Sequence, residues 1–251
     1  GVGNVGGKVN AAFKKLGMQG LLNDPPREES EGSTLFTDIG TIQREADIIT
    51  FHTPLTKTGK YTTFHLADEQ FFASAEKKPF IINAARGDIT DNHALEKAIQ
   101  HGQISGVVID CWENEPGIDR ELLRLADIAT PHIAGYSADG KWTATKMSLE
   151  NLNDFFNLKL ENIHYQAIPS PSEPIIDLRG IAPEQQLQHA VWQTYDPMKE
   201  TTALKSSPEK FYWFRSNYPL RREYPAYQIL HASPIALNTL LSLGFKRKEE
   251  I

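Results

Sequence analysis

The chain of 251 residues is 40% hydrophobic and carries 26 basic against 32 acidic residues, a formal net charge of −6, with a sequence pI near 5.8. That is enough chain to bury the core of one or two domains, while the acidic balance speaks against nucleic acid or an anionic membrane as partner and no apolar run approaches the ~18 residues of a membrane span. Cys111 is the single cysteine, so an intrachain disulfide is excluded and a reducing, cytoplasmic setting is expected.

The first ten residues, GVGNVGGKVN, place Gly1, Gly3 and Gly6 in a GxGxxG dinucleotide fingerprint. The first glycine permits a tight turn, the second lets backbone approach a pyrophosphate, and the third lets a helix pack closely on a sheet. Such a fingerprint follows a strand, and none stands before Gly1, so the sheet is expected to lack its first strand in this chain. Val5, Val9, Ala12, Phe13 and Leu16 recur at helical spacing up to Gly17, a helix-end signal. GMQGLLND then reads as a strand, and ADIITFHTP, PFIINAARG, SGVVIDCWE and ADIATPHIAG follow as four further short apolar runs. Helices are expected between them, near residues 37–45, 67–75, 92–101 and 119–125. The alternation predicts an α/β fold, a doubly wound parallel sheet of Rossmann type.

In such sheets the ligand lies beyond the carboxyl ends of the strands, so the polar residues there carry the functional reading. Asp24 stands 18 positions after Gly6, where an acidic side chain can bond both ribose hydroxyls and repel a 2′-phosphate, favouring NAD over NADP. Arg27 nearby pulls the other way, and a turn aspartate before Pro25 and Pro26 is the alternative. Arg86, Asp110, Glu115 and His132 end or follow the later runs. His132 can take a hydroxyl proton with Glu115 on its other ring nitrogen, and Arg86 offers a planar fork to a carboxylate. Taken singly, His132 suits a satisfied buried histidine, Arg86 a surface ion pair and Glu115 a loop carboxylate; together at one sheet edge they form a candidate site for oxidising a 2-hydroxy acid.

HTPLTKTG at 52–59, NAARGDITDNHAL at 83–95, DCWENEP at 110–116 and TPHIAG at 130–135 resemble, in order, the motifs of the D-isomer-specific 2-hydroxyacid dehydrogenases. The resemblance implies NAD as cofactor, His132 as proton donor and acceptor, Glu115 as its partner and Arg86 as substrate anchor. It further implies Asn4 and Val5 together with Gly3 at the pyrophosphate, and Thr53, Ala84, Ala85, Arg86, Asp110 and Gly135 along the rest of NAD. Tyr136 would face substrate. NDPPR at 23–27 and GYSADGK at 135–141 resemble a member of that family acting on a phosphorylated 2-hydroxy acid, with Lys141 or an arginine meeting the phosphate. Chains of the family begin with a substrate-domain segment ahead of the glycines, so this one is expected to be truncated at its N-terminus. Another D-2-hydroxyacid dehydrogenase, or a noncatalytic NAD-binding interaction protein, are the alternatives.

After about residue 161 prolines interrupt a polar stretch, which suggests a boundary between an NAD-binding domain at 1–160 and a smaller α+β domain at 161–251. Helices are expected at 183–195, 207–217 and 233–243, and a strand in EYPAYQILH at 223–231. The segment PEKFYWFRSNYPLRREY at 208–224 resembles a dimerisation domain of that phosphorylated-substrate member. Its aromatics and arginines suit a homodimer interface, and the acidic chain speaks against nucleic acid. His164, His189 and His231 are too scattered to suggest a metal site.

Overall fold

Aspartates set the helix starts in the first half of the chain. In the computed structural model, which describes residues 1–32, 34–160 and 167–249, side-chain oxygens of Asp24, Asp38, Asp68, Asp91 and Asp119 accept the backbone N–H three residues on. They cap α2 (Pro25–Glu31), α3 (Ile39–Glu45), α4 (Glu69–Ala73), α5 (Asn92–Gln100) and α6 (Arg120–Leu125), each satisfying a donor that a first helical turn leaves open. α1 (Asn4–Lys15) starts at Gly3 without a side-chain cap.

Between these helices run β1 (Ile48–Phe51), β2 (Phe80–Asn83), β3 (Gly106–Ile109) and β4 (Ile128–Ala129). They form one parallel sheet in the order β1-β2-β3-β4, with Ile81 beside Val107 and Ile109 beside Ala129 in register. Ile81, Val107 and Ile109 are buried among Phe72, Leu95 and Leu122 of the covering helices, as strands covered on both faces require. All four apolar runs therefore become strands where the sequence predicts them. GMQGLLND does not. Its backbone instead accepts single bonds, from Gly1 N–H at Asn23 O (2.8 Å) and from Thr37 N–H at Leu22 O (2.6 Å). A strand needs a neighbour about 4.8 Å away; here an open cavity of about 550 Å³, lined by Val9, Phe13, Leu21, Ile42, Ile48 and Thr50 among others, lies beside both this run and β1.

The chain gathers into two compact units, one of Gly1–Ile133 with Pro197–Asn217, the other of Ala134–Asp196 with the residues from Tyr218 onward. In the first, α9 (Pro197–Ser206) and α10 (Phe211–Ser216) belong with the sheet. Thr201 Oγ1 accepts the Ala129 N–H at 3.0 Å, Lys205 Nζ donates to the Ala126 carbonyl at 2.6 Å, and Leu204 and Phe211 join the core. Packing thus divides the chain elsewhere than the expected 160/161 boundary. Pro197 and Pro208 do not interrupt structure but sit in first helical turns, where a missing N–H costs nothing.

The second unit holds α7 (Ala138–Phe156), β5 (Ile175–Asp177), α8 (Gln186–Thr194), β6 (Gln228–Leu230), α11 (Pro234–Leu243) and β7 (Lys246–Arg247). Its three strands are all parallel, in the order β5-β6-β7, so it is α/β rather than the α+β expected. Ile176, Leu178, Ile229, Leu240 and Phe245 make its core. Among the described residues no helix is long and apolar enough to cross a membrane.

Candidate active site

The glycine fingerprint is tight where its first and third members stand and open at the second. A Cβ on Gly1 would lie 2.7 Å from the His52 carbonyl, and one on Gly6 would lie 2.1 Å from the Gly1 oxygen, whereas at Gly3 nothing comes within 4 Å. The backbone at the start of α1, with Asn4 and Val5 exposed, is therefore accessible to an anion at a helix N-terminus. Thr53 stands beside Gly1 with a buried hydroxyl that has no hydrogen-bond partner. Such an orphan costs about 1–3 kcal/mol, which a polar ligand group removes.

Asp24 Oδ2 accepts the Val2 N–H at 2.8 Å and Oδ1 the Arg27 N–H at 3.3 Å, so one carboxylate ties the glycine turn to α2. A carboxylate has about four lone-pair sites, and these two bonds leave capacity for ribose hydroxyls. Arg27, the residue in favour of a 2′-phosphate, forks onto Glu31 at 2.6 and 2.9 Å and donates to the Val2 carbonyl at 2.6 Å. Helix start, acidic acceptor and orphan hydroxyl fit a dinucleotide: Gly3, Asn4 and Val5 would hold its pyrophosphate, Asp24 its ribose and Thr53 a further polar group.

Arg86, Asp110 and His132 lie just past the carboxyl ends of β2, β3 and β4. His132 Nδ1 is 2.8 and 3.1 Å from the Glu115 oxygens, and among the described residues its Nε2 has no protein hydrogen bond. His132 also adopts a positive φ of 56°, a conformation that costs a residue other than glycine about 1–3 kcal/mol and persists only where the surroundings over-determine it. They do so here. Buried Asp110 accepts the Ile133 N–H at 2.7 Å and the Thr130 hydroxyl at 2.6 Å on one oxygen, the Trp112 indole donates to the Thr130 carbonyl at 2.9 Å, and Arg215 Nε donates to the His132 carbonyl at 3.3 Å.

Asp110 therefore shapes the loop that presents His132, a role its place after an apolar run does not announce. Arg215 is a second residue missed in the sequence, because no local pattern signals a partner that distant. A third is Asn83, whose side-chain amide donates to the Arg86 carbonyl at 3.0 Å and to Thr90 Oγ1 at 3.2 Å and so fixes the turn carrying Arg86. Ala84 is half-buried, Ala85 buried and Arg86 exposed, with one guanidinium nitrogen on the Ala85 carbonyl at 2.6 Å. Burial, then the charges of Asp110 and Glu115, push the Cys111 thiol well above its ordinary range against the opposing charge of Arg86. The thiol stays protonated and is no nucleophile.

Gly135, Tyr136 and Lys141 fall in the second unit. Lys141 Nζ lies 4.1 Å from the centre of the Tyr136 ring, which meets Tyr218 edge-on at 6.3 Å, and the Arg221 guanidinium covers the Tyr195 and Tyr218 rings at 4.5 and 5.4 Å. Asp139 grips Arg222 through two bonds of 2.9 and 3.0 Å. The aromatic segment expected to form one exposed interface is divided: Phe211 is buried in the first unit, Tyr212 and Trp213 are exposed, and Tyr224 stacks on Phe245 inside the second. Helical spacing turns Phe211 inward and its two neighbours outward.

Residues 1–134 match the family model of the D-isomer specific 2-hydroxyacid dehydrogenase NAD binding domain, and residues 167–244 match that of a domain of unknown function. The chain is 50% identical over 231 residues to the erythronate-4-phosphate dehydrogenase of Bacteroides thetaiotaomicron, covering 92% of this chain and 64% of that protein. To the erythronate-4-phosphate dehydrogenase of Porphyromonas gingivalis it is 42% identical over 246 residues, covering 98% and 66%; the chain spans less than two-thirds of either relative. Among solved structures it resembles D-lactate dehydrogenase from Aquifex aeolicus complexed with NAD and lactic acid, at 29% identity and a TM-score of 0.53 over 64% of this chain and 53% of that one. D-lactate dehydrogenase with NAD+ from Lactobacillus jensenii aligns at 25% identity and a TM-score of 0.51, over 66% and 54%. The family match runs along the whole parallel sheet and through the loops that carry Arg86, Glu115 and His132, over more than half of the residues, and the chain belongs to the D-isomer-specific 2-hydroxyacid dehydrogenases.

Proposed function

We propose that this chain is part of an NAD-dependent dehydrogenase that oxidises 4-phospho-D-erythronate to 2-oxo-3-hydroxy-4-phosphobutanoate, a step toward pyridoxal 5′-phosphate (vitamin B6), in the cytoplasm. The carrying observation is the contact of His132 Nδ1 with the Glu115 carboxylate at 2.8 Å, which leaves Nε2 to exchange a proton. The similarity to relatives named for erythronate 4-phosphate supports this choice of substrate.

NAD when bound supplies the hydride acceptor. His132 Nε2 takes the proton of the 2-hydroxyl as the C2 hydride leaves, and Glu115 stabilises the imidazolium that forms. Arg86 holds the substrate carboxylate through its planar fork. The second unit serves as a homodimer contact, supported by exposed Trp192, Ile235 and Leu241 on α8 and α11.

The test is turnover of 4-phospho-D-erythronate by a chain extended to the full length of the relatives. His132→Ala should lower that rate by about a hundredfold or more, roughly 2.7 kcal/mol of barrier, while NAD binding persists. A variant within about threefold of its parent removes His132 from the reaction, and no turnover by the parent removes the substrate. Light scattering on the same protein should give twice the chain mass; a monomer removes the dimer.

A further inference from the structure

A second histidine with carboxylate partners stands on the same group of loops and is used by none of the steps above. His65 Nε2 lies 2.5 Å from Glu113 Oε1 and its Nδ1 lies 3.4 Å from Asp91 Oδ2. Its ring stacks on Phe64 at 4.0 Å and its own N–H donates to the Asp88 carbonyl at 2.8 Å. His65 therefore clamps three connections at once: the one after β1, the turn after β2 and the loop after β3. Like His132 it has a positive φ, 48°, so the backbone is held out of its ordinary range to aim this ring.

What the clamp holds is the loop 110–116. Trp112 N–H donates to Glu115 Oε1 at 2.8 Å, the same oxygen that lies 3.1 Å from His132 Nδ1. Glu113 is two residues from Glu115 and its side chain is only 15% exposed. On the other side the loop is backed by Gly87, where a Cβ would sit 2.0 Å from the Trp112 carbonyl carbon. A loop pressed against backbone on one side and held by the His65–Glu113 hydrogen bond on the other has little freedom to rotate Glu115 away from His132.

Resting on the reading of His132 and Glu115 as the acid–base pair, we propose that His65 is a positioning residue for that pair, acting through Glu113 rather than touching substrate. Two substitutions separate this role from a merely structural one. His65→Gln keeps a donor at the reach of Nε2, toward Glu113. His65→Asn keeps one at the reach of Nδ1, toward Asp91, and asparagine tolerates the positive φ better than glutamine. If His65 only stabilises its turn, asparagine is the better replacement; if it positions Glu115, glutamine is.

The expected result, in the extended chain, is a kcat lowered about tenfold by His65→Asn with KM for NAD within about twofold, and a kcat within about threefold for His65→Gln. In protein labelled with ¹⁵N-histidine, the ring-nitrogen resonances of His132 should move in His65→Asn and stay in place in His65→Gln. Equal behaviour of the two variants, or a better-preserved asparagine variant, overturns the proposal. Should the parent turn over no 2-hydroxy acid, the reading of the function fails on its own, and the His132 resonances alone decide whether His65 positions the pair.

Discussion

The two edges of the four-stranded sheet are treated in opposite ways. Along β4 a segment from far down the chain closes the edge: Thr201 supplies an acceptor for the Ala129 N–H, and Leu204 and Phe211 are buried against it. Along β1 the edge borders the open cavity, Ile48 is 39% exposed, and in α1 only Gly6 is buried. An edge strand exposes a row of unpaired backbone groups unless something covers it. The loops that carry Arg86, Glu115 and His132 hang from the closed side, and Asn83, Asp110, Trp112 and Arg215 hold their backbone in place. The dinucleotide cradle hangs from the open side, where Thr53 Oγ1 and Asn10 Oδ1 are both buried without partners. One half of the site is thus organised by the chain's own packing, and the other keeps its binding capacity unspent.

Hydrogen exchange gives this contrast its largest expected signal. Protection spans the range from near zero in loosely packed elements to the global stability in core strands, so amides of α1 should exchange about a thousandfold or more faster than those of β3 and α5. Equal protection of the two would show that the β1 side is already closed. Next in size is Leu204→Ala, which removes a fully buried side chain from the closed edge and should destabilise the first unit by about 2–4 kcal/mol in denaturant unfolding. A loss below about 1 kcal/mol would mean that residues 197–217 rest on the sheet without sharing its core.

A finer test of the same edge is Thr201→Val. It preserves shape but strands the buried Ala129 N–H, and should cost about 1–2 kcal/mol. The smallest effect is expected on the open side, where Asp24→Ser should lower the ratio of NAD to NADP affinity about fivefold, close to 1 kcal/mol. Titration of both cofactors measures it, and an unchanged ratio would leave Asp24 as the cap of α2 and the anchor of Val2 alone.

Much of the first unit was legible because its signals are local. Each apolar run that became a strand is short and bounded by polar residues, and the helices that follow β1, β2 and β3 start at Asp68, Asp91 and Asp119 while α7 after β4 starts at Ser137; these features act within a few residues of themselves. The position of His132, Glu115 and Arg86 was legible for the same reason: in a parallel α/β sheet, residues that follow strands share one edge whatever the details of packing. GMQGLLND failed as a strand because extended backbone is stabilised by a neighbour rather than by its own composition. α2 and α9 went unrecognised because Pro25 and Pro197 look like breakers, although a proline in the first turn has no hydrogen bond to lose.

The sequence by itself determined the order of the four strands and of the helices that alternate with them, the glycine turn at Gly1 to Gly6, and which side chains follow the strands at one edge of the sheet. Those properties rest on periodicity, capping and steric fit, all of which act over short stretches of chain. Only the tertiary structure decided that residues 197–217 close the β4 edge, that Phe211 is core while Trp213 is surface, that Asp110 and Arg215 hold His132 in a left-handed conformation, and that His65 reaches Glu113. Each of these joins groups tens of residues apart, and the energy that selects them comes from burial and from satisfying particular buried donors and acceptors, which exists only once the chain has folded back on itself.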